Sequence, residues 1–189
     1  MPIMHTYYLH KLLKEELRNG SSDLVTRASG RVIRTRIERD IEQEQKGETI
    51  VLDFTEIGII DYSCADEIIG KLISRLLGGE YGDKYLILRG LNENQKENIE
   101  AALEKKDLAV IAEMNDGTKQ FIGSLNNYLK ETLLLILGRG SITARELSES
   151  MRLEMNTSGT RLLNLHKKRL VRRVEEIKNG GRMLVYEKI

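Results

Sequence analysis

Three short apolar runs constrain this chain most: "ETIVLDF" (48–54), "KYLILRG" (84–90) and "LAVIAEM" (108–114). Each is rich in aliphatic residues, too short for a typical helix, and has no polar face, the pattern of a strand buried on both sides of a sheet. Helical patterns separate them. In "ASGRVIRTRIERDIEQEQKG" (28–47), Ile33, Ile37 and Ile41 form one stripe. In "CADEIIGKLISRLLGG" (64–79), Ile68, Ile69, Leu72, Ile73, Leu76 and Leu77 form a wider one. "NENQKENIEAALEKKD" (92–107) opens on an Asn cap and turns Ile99, Ala102 and Leu103 inward. Strands and helices alternating at this spacing predict an α/β layer.

The flanks extend this layer. Leu9, Leu12, Leu13 and Leu17 predict an N-terminal helix within residues 1–22, ended by "RNGSSD". "DLVTR" (23–27) is a short strand candidate. "TKQFIGSLNNYLKETLLLILGRG" (118–140) reads as one long helix with Phe121, Leu125, Tyr128, Leu129 and Leu133 on a side. A boundary within 117–125 divides the chain into an N-terminal helix (1–22), an α/β domain (23–118) and a C-terminal domain (119–189).

Charge divides the chain as well. Residues 139–189 hold 12 Lys/Arg and 6 Asp/Glu, net +6; the remainder holds 18 and 23, net −5. A basic segment on a mildly acidic body suits a polyanionic partner. Trp is absent and aromatic residues are 5% of the chain, so an aromatic stacking platform for single strands is not expected. One cysteine, Cys64, excludes an internal disulfide and a multi-Cys zinc site. The longest apolar run, "LLLIL", is too short to span a membrane. The first 18 residues mix charge into their apolar positions, unlike a signal peptide, and a cytoplasmic location is the expectation.

The C-terminal segment follows a definite order. "SITARELSESM" is a short helix with Thr143 and Glu146 spaced as a capping box. "RLEMN" is a turn, "TSGTRLLNLHKKRL" a second helix, and "VRRVEEIKNGGRMLVYEK" a hairpin about "KNGG". Helix, helix, turn, helix and hairpin is the order of a winged helix. The stretch "TARELSESM…TSGTRLLNLHKKRLVRRVEE…GGRMLVYEK" resembles winged helix-turn-helix regulators of the MarR type over residues 125–187. That resemblance implies duplex DNA as a partner, read by the second helix. Thr157, Ser158, Thr160, Arg161, Asn164, Lys167 and Lys168 lie off its apolar residues, and Arg172, Arg173, Lys178 and Arg182 belong to the wing. Arg161 suits guanine, Asn164 suits adenine, and the lysines and hairpin cations suit phosphate. Gly159 interrupts the helix, either permitting close packing or weakening it. Protein docking or dimerisation is the other use of such a module. A homodimer is compatible with it, and His166 reads as a surface residue.

The stretch "IVLDFTEIGIIDYSCADEIIGKLI" resembles the STAS domain of anti-sigma-factor antagonists and sulphate-transporter tails, over about residues 23–115, most closely an uncharacterised STAS-like branch. In antagonists an Asp-Ser-Ser-Gly loop opens a helix and is phosphorylated by a histidine-kinase-like ATPase. Matched residue by residue, Asp61 falls on the Asp, Tyr62 and Ser63 on the serines, and Cys64 on the Gly. Ser63 then has two readings. It is the phosphoacceptor at a helix N-terminus, or it is the cap of that helix with Asp66 and Glu67 complementing the dipole. Cys64 at a helix start is either a low-pKa sensor thiol or a packing residue. Asp53 ends a strand like a receiver phosphoacceptor, but "DLVTR" lacks the acidic pair a receiver needs.

The chain carries no Walker-type loop, no Gly-x-Gly-x-x-Gly, no HExxH and no supported Ser-His-Asp set. The expectation is a non-enzymatic, cofactor-free transcriptional regulator. The alternative is a partner-switching adaptor controlled at Ser63, with its winged helix docking protein.

Overall fold

The computed structural model describes residues 3–18, 20–178 and 181–189, with the side chain of Lys178 outside the description. The chain divides into two compact units, Met1–Ser124 and Leu125–Ile189.

Unit 1 is built on a five-stranded sheet of order β1-β2-β3-β4-β5. Its strands are β1 (Met4–Tyr8), β2 (Thr49–Asp53), β3 (Tyr85–Arg89), β4 (Ala109–Glu113) and β5 (Lys119–Gly123). The first four are parallel and β5 runs antiparallel to β4. All five residues of β2 are buried, as its unbroken apolar run requires. The helices are α1 (Leu9–Leu17), α2 (Arg27–Ile41), α3 (Tyr62–Ala65), α4 (Lys71–Leu77) and α5 (Glu93–Glu104). A π-helical turn, Asp66–Gly70, joins α3 to α4. Leu9, Leu13, Ile33, Ile37, Ile68, Ile69, Leu72, Ile99 and Leu103 from these helices meet Ile50, Leu52 and Leu88 of the sheet in one core.

Gly30 sets the approach of α2 to α3. A Cβ there would lie 3.1 Å from Cys64 Sγ and 3.2 Å from Glu67 Cβ. Asn92 caps α5 in a capping box with Gln95, and the buried Gln95 side chain also donates to the Ile57 carbonyl at 2.7 Å.

Three expectations fail in this unit. Residues 1–22 are not one helix: Met4–Tyr8 pairs with β2 as an edge strand before α1 begins. "DLVTR" forms no strand, only the single bridge Leu24 to Ile60. The helix predicted over 118–140 is a strand, β5, followed by a later helix. The break is physical. Gly123 has φ +105, and a Cβ there would overlap the Leu108 carbonyl oxygen. Asn126 then caps the next helix by accepting from the Leu129 N–H.

Unit 2 contains α6 (Asn127–Arg139), β6 (Ser141–Thr143), α7 (Ala144–Met151), α8 (Met155–Lys167), β7 (Val171–Lys178) and β8 (Gly181–Lys188). Its antiparallel sheet has the order β6-β8-β7. Thr143 and Glu146 form the capping box that their spacing predicts. Leu129, Leu133, Ile136, Ile142, Leu147, Leu162, Leu165, Leu170, Val171 and Val185 are buried. The predicted turn centre, Asn179 and Gly180, lies outside the described residues. Among the described residues no helix is long and apolar enough to cross a membrane.

Candidate functional site

Helix α8 sorts its side chains by the period of 3.6 residues. Ser158, Leu162 and Leu165 are buried at i, i+4 and i+7. On the side away from these, Thr157, Thr160 and Lys167 are exposed and Arg161 and Asn164 half-buried. Tyr128, Asn156, Thr157, Thr160, Arg161 and Asn164 line one open depression. Thr160 Oγ1 is turned back to the Asn156 carbonyl at 2.8 Å. The Arg161 guanidinium lies over the Tyr128 ring, 5.3 Å from its centroid, and Nη1 approaches the Tyr128 carbonyl at 3.4 Å. No carboxylate pairs with Arg161 among the described residues.

Two of the predicted contact residues fall elsewhere. Ser158 is buried with the leucines, because its spacing from Leu162 and Leu165 places it on the inner stripe. Arg172 is 7% exposed. In β7 the two-residue alternation puts Arg173, Glu175 and Ile177 outside and Arg172 and Val174 further in. Arg173 and Arg182 are exposed, and Arg182 Nε lies 3.4 Å from Glu175 Oε1. Lys168 is the half-buried C-cap of α8. Lys178 lies in β7 with its side chain outside the described atoms. Gly159 serves no close packing, since a Cβ there meets no atom within 4 Å. Tyr128 and Asn156 belong to the same surface; the sequence pattern places Tyr128 on one side with Leu129 and Leu133, which are buried, yet Tyr128 is 44% exposed.

The second candidate is the start of α3. The cap there is Asp61, not Ser63. Asp61 Oδ1 accepts from the Cys64 N–H at 2.7 Å and from Ser63 Oγ at 2.9 Å, and Oδ2 accepts from the Thr26 N–H at 3.1 Å. Burial pushes the Asp61 carboxyl up, but these donors outweigh it and hold the carboxyl below its ordinary range. Ser63 is half-buried.

Asp66 and Glu67 do not serve the dipole of α3. Asp66 pairs with Arg27 at 2.9 Å and Lys106 at 2.7 Å. The fully buried Glu67 pairs with Arg27 at 3.1 Å, Arg34 at 3.2 Å and Lys71 at 2.6 Å. These pairs tie α2 to the π turn and α4, and nothing in the sequence periodicity announced them.

Cys64 is buried and donates to the Thr26 carbonyl at 2.9 Å. Burial, with the nearby Asp61 charge, pushes its thiol up to about 12. The sensor reading needs an accessible, low-pKa thiol, whereas Cys64 is wholly buried and packs in the unit 1 core.

Residues 29–96 match the family model of a STAS-like domain of unknown function (DUF4325). The match lies inside unit 1 and takes in most of α2, β2, the helical run 62–77, β3 and the start of α5. It supports the likeness drawn over 23–115 for those residues and does not reach Leu125–Ile189. No curated protein matches the chain.

Proposed function

We propose that this chain is a transcriptional regulator in which unit 2 is a winged helix-turn-helix that binds duplex DNA, and the STAS-like unit 1 receives a signal from a protein partner. The observation that carries the reading is the outer side of α8. Thr157, Thr160, Arg161, Asn164 and Lys167 recur there at helical spacing, opposite the buried Ser158, Leu162 and Leu165. The element order of unit 2 and its sheet order β6-β8-β7 support the winged-helix reading.

On this reading α8 enters the major groove. Arg161 donates to guanine O6 and N7, and Asn164 pairs with adenine. Thr157 and Thr160 meet phosphate or base edges, while Lys167, Lys168, Arg173 and Arg182 neutralise the backbone. The net +6 of residues 139–189 favours first encounter with a polyanion.

The rival reading is the adaptor phosphorylated at Ser63 by a histidine-kinase-like ATPase. It meets a cost at Asp61. A phosphoryl group on Ser63 Oγ would stand where that oxygen now lies 2.9 Å from a carboxylate held ionised, and like charge there opposes it.

The test is duplex binding by the full chain, first selected from a random library and then repeated with Arg161→Ala. A preferred site should lose about 1–3 kcal/mol of affinity, with random duplex much less affected. Equal affinities for wild type and variant on both duplexes would remove α8 from recognition.

A further inference from the structure

At the open edge of the unit 1 sheet, three side chains that the proposed function does not use converge. His5 stands on β1, opposite Ile50 of β2. Glu44 and Glu48 come from the turn between α2 and β2. One ligand atom from each of the three lies within 4.8 Å of the others. His5 Nε2 is 3.0 Å from Glu44 Oε2 and 3.2 Å from Glu48 Oε2.

We propose that His5, Glu44 and Glu48 form a binding site for one divalent transition cation, Zn2+ being the probe of choice. Two ligands bound at about 2.1 Å and subtending a tetrahedral or octahedral angle stand about 3.0–3.4 Å apart. Both His5 separations fall in that interval. A simple hydrogen-bonded clamp is less apt, because Nε2 is buried from solvent and makes no hydrogen bond of acceptable geometry despite two oxygens beside it. Nε2 and the two carboxylate oxygens face a common centre, which a cation between them would occupy.

Charge argues the same way. No lysine or arginine pairs with Glu44 or Glu48 among the described residues, so two carboxylates share one imidazole.

Both carboxylates are also held by hydrogen bonds, Glu44 from behind as metal ligands are. Tyr7 donates to Glu44 Oε1 at 2.8 Å, leaving Oε2 directed at His5. The Gln45 N–H donates at 2.8 Å to Glu48 Oε2, the same oxygen that faces His5, and so fixes the position of that ligand atom on a buried side chain. An imidazole with two carboxylates suits zinc or manganese rather than calcium, which prefers all-oxygen sites. Three protein ligands leave at least one position for water. Bound there, the ion would fasten the edge strand β1 to the turn that precedes β2.

The full chain, stripped with chelator, is titrated with Zn2+ by calorimetry, and the thermal midpoint is followed with and without the ion. Wild type should take up one ion per chain with a rise in midpoint. His5→Gln and Glu48→Gln should each bind about 100-fold more weakly or not at all. A second readout needs no variant: in long-range 1H–15N spectra of wild type, the His5 ring should shift on Zn2+ addition while those of His10 and His166 stay. Absence of saturable binding, binding undiminished in both variants, or a shift confined to His10 or His166 would overturn the site.

Discussion

Arg161 is held against Tyr128: its guanidinium lies 5.3 Å from the centre of the ring, and Nη1 is 3.4 Å from the Tyr128 carbonyl. The contact joins α8 to the first turn of α6. It orients a charged group on the outer side of α8 without neutralising it, because a ring face and a carbonyl oxygen attract a cation but carry no opposing formal charge.

On the proposed DNA-binding reading, the ring would contribute to binding without touching the ligand. Tyr128→Ala should weaken binding to a preferred duplex by about 2- to 5-fold, the size of an exposed cation–π contact. Binding to random duplex should change less. Fluorescence anisotropy on the two duplexes checks this; an unchanged preferred-site affinity would show that the ring does not position Arg161.

At the start of α3 the two neighbouring polar side chains have different weights. Asp61 accepts from the Cys64 and Thr26 N–H groups, whereas Ser63 only donates to Asp61. Asp61→Ala should cost about 1–2 kcal/mol in urea unfolding, the worth of a cap. Ser63→Ala should cost less, about 0.5–1 kcal/mol, since a half-buried hydroxyl is lost but the cap remains. The reverse order would restore Ser63 as the cap.

Gly159 sits within α8 with open space where a Cβ would stand. Gly159→Ala should stabilise unit 2 by up to about 1 kcal/mol through helix propensity alone. The measurement is the denaturant midpoint of the full chain, read from a probe in unit 2. Destabilisation would mean that α8 needs glycine for a reason of backbone or contact.

Acid should weaken unit 1. Burial raises the Asp66 carboxyl, but the Lys106 and Arg27 bonds outweigh it and bring it below the ordinary range. Glu67, with Lys71, Arg34 and Arg27, follows the same balance. A carboxylate depressed in the folded state stabilises above its unfolded value, near about 4, and loses that contribution as pH falls through the lower folded value. Stability should thus be level above about pH 5 and fall below about pH 4. Asp66→Asn should lose on the order of 1 kcal/mol at neutral pH and show a shallower acid decline. Parallel acid profiles for variant and wild type would contradict this.

The sequence reveals the centre of the sheet better than its edges. β2, β3 and β4 are visible because burial on both faces leaves an unbroken apolar run. β1, "MHTYY", is an edge strand of mixed polarity whose pattern merges with the helix that follows. β5, "KQFIG", is hidden because its apolar residues continue the spacing of α6, and only the conformation of Gly123 separates them. On α8, polarity alone sends Ser158 outward, yet its register with Leu162 and Leu165 sends it in. Arg172 misleads similarly, because strand alternation decides which of two adjacent arginines faces out. The convergence of His5 with Glu44 and Glu48 depends on β1 lying beside β2, which the helical reading of residues 1–22 precluded.

The most direct test of the central claim is the salt dependence of duplex binding by the full chain, with and without Lys167→Ala. A DNA-binding surface of this kind predicts that log K falls linearly with log salt, and that Lys167→Ala lowers the slope by about 1 on any sequence. No measurable duplex binding at low salt, or binding whose slope is the same in wild type and variant, would contradict it.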